Sequence, residues 1–113
     1  IQAMWEEFFT SFDVLICPVT FSTAFDHNHE PDIFNRTISV DGVERHYYEI
    51  IAWPSVATLP QLPSLVVPIG QNADGLPIGV QIIGPYLEDY TPIAFAQAIE
   101  GVCSGYNPPS IVQ

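Results

Sequence analysis

Ser64-Leu65-Val66-Val67-Pro68-Ile69-Gly70, then Asp74-Gly75-Leu76-Pro77-Ile78-Gly79-Val80-Gln81-Ile82-Ile83-Gly84-Pro85, is the stretch that decides the fold. Leu65-Val66-Val67 is a short, continuous apolar run closed by Pro68 and Gly70. Such a run reads as a strand buried on both faces. Asp74 to Pro77 makes a turn, and Ile78 to Ile83 reads as a second strand. The link between the two is too short for a parallel crossover, so the pair is expected to be antiparallel. Gly79 and Gly84 mark a close backbone approach or a bulge.

Upstream, Leu59 to Pro63 is a proline-punctuated loop. Before it, Tyr47, Tyr48, Ile50, Ile51 and Trp53 suggest a helix that Pro54 must kink, end or restart. Arg36 to Val40 and Val43 to Tyr47 flank Asp41-Gly42, a strong short-range hairpin signal. Thr20 to Asn35 is irregular and holds Asp26-His27-Asn28-His29-Glu30-Pro31-Asp32. Val14-Leu15-Ile16-Cys17, stopped by Pro18, is expected to be another strand buried on both faces. Met4, Trp5, Phe8, Phe9 and Phe12 fall at helical spacing, which predicts an amphipathic helix ending near Ser11–Phe12. Downstream, Thr91-Pro92 reads as an N-cap followed by proline at the first helical position. Phe95, Ala96, Ile99 and Val102 supply that helix's apolar face, and Asn107-Pro108-Pro109 ends it. The order is helix, buried strand, hairpin insertion, helix, antiparallel strand pair and C-terminal helix. It implies an α/β fold in which helices cover a mixed sheet. Three strands with so few helices read as part of a larger fold, so residues 1–113 are taken as one segment and not a complete catalytic domain.

Composition points the same way. Hydrophobic residues make up 48% of the 113-residue chain and charged residues 13%, against about 25% charged in ordinary domains. A surface so poor in charge suggests a chain that is covered by more protein. Thirteen acids against Arg36 and Arg45 give a formal net charge of -11. That charge repels phosphate backbones and anionic lipid, which argues against nucleic acid and membrane as partners. No apolar run approaches the roughly 20 residues of a membrane helix, and no signal peptide is visible. Cys17 and Cys103 read as free thiols of a cytoplasmic protein.

The V-P-x-G strand end at 67–70 followed by G-L-P-x-G-x-Q-x-x-G at 75–84 resembles the C-terminal part of amidase-signature enzymes. The Asp13-to-Pro18 strand with Ala24-Phe25, and the helix from Glu88 to Glu100 with Ala94, Ala96 and Ala98, are also similar to that family's pattern. The resemblance covers nearly the whole chain and is most specific in its second half. It implies acyl transfer from an amide through a serine nucleophile, a second serine and a lysine, with no metal or organic cofactor. Both members of the Lys+Arg count are arginines, so the chain has no lysine, and it has no Gly/Ser-rich stretch to supply the serines. The resemblance therefore places those residues upstream of Ile1, with none catalytic here. It also implies that this segment walls a cleft for a small amide substrate, against the remainder of the amidase chain or another subunit. Self-association into a homo-oligomer is left open. Where the family commonly has Asn and Gly, this sequence has Thr58 and Gln61. The turn they occupy is expected to border the acyl pocket, and Gln61 in place of glycine is expected to need a negative φ.

Candidate substrate-binding residues are accordingly Thr58 and, from the loop after the 13–18 strand, His27 and His29. The competing reading makes His-x-His a metal ligand pair in a small cupin-like module. On a strand the two rings would face one side, joined by a carboxylate or His46. A third reading is a protein-interaction module. No Gly-x-Ser-x-Gly elbow supports a serine triad within the chain.

Overall fold

In the computed structural model, residues 1–103 and 105–108 are described. Helix α1 (Gln2–Phe9) leads into strand β1 (Leu15–Pro18). A short 3-10 turn (Ile33–Asn35) precedes the hairpin strands β2 (Thr37–Val40) and β3 (Val43–His46). A second 3-10 turn (Tyr47–Ile51) runs into α2 (Ala52–Thr58), followed by β4 (Ser64–Gln71), β5 (Pro77–Ile83) and α3 (Tyr90–Glu100). Helices over antiparallel sheets make a mixed α/β arrangement, as the sequence predicts. Pro109, the last residue of the stop expected at 107–109, lies outside the described residues.

Two sheets form. The larger has the order β1-β5-β4, and the smaller is the β2-β3 hairpin alone. β4 and β5 pair antiparallel from Ser64↔Ile83 to Gln71↔Pro77, with an irregularity between Pro68 and Gly70. The short link led to the antiparallel pairing, but Pro68 and Gly70 do not close the strand: β4 runs through them to Gln71 and absorbs them as the irregularity. β1 then adds to the other side of β5, also antiparallel, with Cys17 opposite Gln81. The hairpin closes where expected: Val40 faces Val43, while Asp41 and Gly42 take φ of 52° and 77°. Those two left-handed residues form the two-residue turn whose twist matches paired strands. After the hairpin, Arg45 Nε donates to Glu49 Oε2 at 2.7 Å and the His46 amide donates to Glu49 Oε1 at 3.1 Å. The bond from Arg45 is the main cause that holds the Glu49 carboxyl below the usual carboxylate range. Pro54 sits in the first turn of α2, where its absent N–H has no partner to lose.

The core is small. Cys17, Ala57, Leu62 and Ile83 form its buried centre, with Trp5, Phe9, Leu15 and Val56 against it. These residues join α1, α2 and the loop before β4 to one face of the sheet. Ile82, on the opposite face of β5, is completely buried. Gly84 lies directly under α3, since a Cβ there would stand 2.5 Å from Pro92 Cδ.

Three expectations are corrected. β1 and Leu65–Val67 are not buried on both faces: Ile16 and Val66 are 46% and 53% exposed. Both strands lie at sheet edges, and only the second half of the central strand, β5, is covered on both sides. Thr91 is not the N-cap of α3. The helix starts at Tyr90, after Asp89, and the Thr91 hydroxyl lies 3.1 Å from Glu88 Oε2. Gln61 has φ +62° rather than a negative value. Its left-handed turn lets the Leu62 amide reach back to the Ala57 carbonyl at 2.9 Å and close α2, the usual geometry of a helix C-terminus.

The Cα radius of gyration is 16.3 Å, against about 13 Å for a compact chain of this length. Among the described residues no helix is long and apolar enough to cross a membrane.

Candidate functional site

Among the described residues, an open groove of about 950 Å³ runs along β1 and the loop that follows it. Cys17, Thr20 and Phe25 form one side, and Val66, Pro68 and Val80 another. Its walls come from strands β1, β4 and β5 and from the loop after β1. The loop carries it outward, and Phe25 is pinned by an edge-to-face contact with Tyr47 at 6.1 Å between ring centres. A groove of this volume and apolar character suits a small organic ligand. Thr20 Oγ1 lies buried in this wall with no hydrogen-bond partner among the described residues. A buried hydroxyl left unpaired costs about 1–3 kcal/mol. The Cys17 thiol is pushed up from its ordinary pKa, chiefly because burial disfavours the thiolate, with the bond from Gln81 opposing that shift. Cys17 is therefore a packing thiol and not an activated nucleophile.

His27 and His29 follow Phe25 on an exposed, irregular segment, not on a strand. Their rings are 6.1 Å apart at an interplanar angle of 63°. The loop is shaped by its own polar side chains: Asn28 Oδ1 accepts from the Glu30 amide at 2.9 Å, and Asp32 Oδ1 accepts from the Phe34 amide at 3.0 Å. Among the described residues no three His, Cys, Asp or Glu side chains converge as a metal site. The cupin-like alternative thus lacks its ligand set, and His46 does not complete it.

Thr58 stands away from the groove, at the C-terminal end of α2. Its hydroxyl donates to the Pro54 carbonyl at 2.9 Å and the residue is exposed. Gln61, three residues on, is exposed as well. Neither residue lines the groove, and His27 and His29 lie just beyond its Phe25 end. The structure therefore gives two separate surfaces, a groove and a turn, instead of one assembled centre.

Between them lies a residue that the sequence marked only as part of a motif. Gln81 is 3% exposed. Its Nε2 donates to the Trp53 carbonyl at 3.4 Å and approaches Cys17 Sγ at 3.5 Å. The signal available in sequence was a lone amide in the otherwise apolar run Ile78–Ile83.

What this arrangement lacks is as informative as what it holds. The chain has no lysine, so the proton-shuttling base that a Ser-Ser-Lys mechanism needs has no source among its residues. A family model described as Amidase matches residues 1–92. The A-subunit of glutamyl-tRNA(Gln) amidotransferase from Gluconobacter oxydans (strain 621H) is 32% identical over 111 residues, covering 98% of this chain and 20% of that protein. The protein of the same name from Rhodospirillum rubrum is 31% identical over 104 residues, 92% of this chain and 19% of that protein. That from Synechococcus sp. (strain CC9311) reaches 37% over 89 residues, 79% of this chain and 16% of that protein. The chain thus spans about a fifth of the length of the curated relatives it matches. With four-fifths of its residues inside the family match, the chain belongs to the amidase family of amidase-signature enzymes.

Proposed function

We propose that this chain is a non-catalytic C-terminal segment of an amidase that cleaves or transfers an amide C–N bond through a seryl acyl-enzyme. In this reading the two serines and the lysine lie upstream, and residues 1–113 complete the sheet and wall the substrate cleft. The observation that carries it is the open apolar groove along the uncovered part of the sheet. Such a wall is finished only when further protein packs over it. The expanded radius of gyration and the exposed faces of Ile16 and Val66 support the same reading.

Thr58, His27 and His29 are the residues assigned to the substrate side, at the α2 turn and at the Phe25 end of the groove. The substrate is a small amide, and the partner is the remainder of the amidase or another subunit. The relatives' name, amidotransferase, makes transfer to an acceptor an option beside hydrolysis. We place the protein in the cytoplasm, with no metal or organic cofactor. The test compares residues 1–113 with the intact gene product in an amide-hydrolysis assay read alongside mass spectrometry for a seryl acyl adduct. The expected result is turnover and an adduct upstream of Ile1 in the intact protein, and neither in residues 1–113. Turnover by residues 1–113 alone, or an intact protein without an upstream lysine, refutes the reading.

A further inference from the structure

We propose that Gln81 is a positioning residue that fixes the α2 turn relative to the groove, and so sets how tightly the cleft holds its amide. The inference rests on the proposed function above. Gln81 is the one polar residue buried as a whole among the described residues. Burying a carboxamide is unfavourable unless its hydrogen-bonding groups find partners, and an apolar residue would fill the same space without that cost. What the amide adds is direction. Cys17 lies opposite Gln81 on β1 and lines the groove, whereas Trp53 belongs to the first turn of α2. One NH2 group thus touches both structures.

Its bond to the Trp53 carbonyl is the only hydrogen bond between α2 and the sheet among the described residues. Apart from it, α2 meets the core through Val56, Ala57 and the following Leu62. Those are apolar contacts, whose driving force is non-directional. The helix itself is stiff at its far end. Thr58 Oγ1 donates to the Pro54 carbonyl at 2.9 Å, the Gln61 amide to the Thr58 carbonyl at 3.2 Å, and the Leu62 amide to the Ala57 carbonyl at 2.9 Å. A displacement allowed at Trp53 is therefore passed on to Thr58 and Gln61. A misplacement of about 1 Å in a binding wall can change turnover parameters by as much as about 100-fold. The bond is long, at 3.4 Å, so its removal leaves the fold in place while loosening the alignment.

The test uses the intact enzyme. Gln81→Met keeps the shape and burial but removes the donor. The expected outcome is a KM raised about tenfold for an amide substrate, with kcat within about twofold and a small fall in Tm. Gln81→Asn keeps the donor on a shorter stem. It serves as the second variant if Gln81→Met does not accumulate folded, and a rise in KM of about threefold or more is expected for it. An unchanged KM in a folded variant overturns the proposal, whether or not Tm falls. So does a loss confined to kcat, which would put Gln81 in the chemistry. A wild-type enzyme with no amide turnover sinks the proposed function instead, together with this inference; an active wild type with unaffected variants sinks this inference alone.

Discussion

Gly84 is where α3 meets the sheet, and Gly84→Ala measures how closely. A Cβ built on Gly84 stands 2.5 Å from Pro92 Cδ and 3.0 Å from Pro92 Cγ. Favourable carbon–carbon contacts lie near about 3.5–4.0 Å, so α3 must lift by about 1 Å or the strand must bend. Pro92 is completely buried and its ring cannot rotate aside. Inserting one methyl into such a contact costs roughly 1–3 kcal/mol. For a unit of about 100 residues this lowers Tm by roughly 4–8 °C per kcal/mol. A thermal melt followed by circular dichroism is then expected to move down by at least about 4 °C. Combining the change with Pro92→Ala removes the colliding ring carbons. The double variant is expected to be less destabilised than the sum of the two single variants by at least about 1 kcal/mol, the signature of residues in contact. A Gly84→Ala protein with unchanged Tm, or strictly additive effects in the cycle, refutes the packing described for α3.

Three further outcomes follow from the backbone and the thiols. Gln61 holds φ +62° without being glycine, a conformation that costs an L-residue roughly 1–2 kcal/mol. Gln61→Gly removes that strain but adds about 0.4–1 kcal/mol of unfolded-chain entropy, so urea unfolding is expected to show a net gain of a few tenths to about 1 kcal/mol; a loss of stability means that the side chain is anchored. Buried Cys17 is expected to react with a thiol reagent only on unfolding, whereas half-buried Cys103 reacts in the native state. Because burial raises the Cys17 pKa above that of an exposed thiol, its contribution is complete below the unfolded pKa and declines as pH rises through the folded one. Stability in a Cys17→Ala variant is therefore expected to be less sensitive to alkaline pH than in the wild type, and equal alkaline sensitivity counts against the burial.

Local chemistry made some features readable. Asp41-Gly42 specifies its turn because two successive left-handed residues are cheap there, whereas Pro54 marked only a break, which the structure resolves as the first turn of α2. The Gly79 and Gly84 signals correspond to real close approaches, to Val66 and Pro92. Burial was a different matter. Apolarity of Val14–Cys17 says that a strand wants cover, but whether it receives any depends on its place in the sheet, and β1 and β4 took the edges. The Gln61 conformation was hidden because helix closure onto Ala57 dictated it, overriding the preference of the side chain. Thr58, His27 and His29 were picked out as polar groups at a turn and in a loop, and none of the three lines the groove. The groove was not legible, since its wall is assembled from β1, β4 and β5 together with a loop that has no periodicity to read.

The strand order β1-β5-β4 carries a consequence for how the chain is made. β1 emerges from the ribosome before its partner β5, and Cys17 and Gln81 are 64 residues apart. At about 5–20 residues per second, an apolar strand edge waits seconds for its neighbour. β4 and β5 need no such wait, being joined by a short turn, so the sheet is expected to nucleate there and accept β1 afterwards. During that interval β1 is the natural client for a chaperone. The final register of the groove is written by β5, a strand made well after β1.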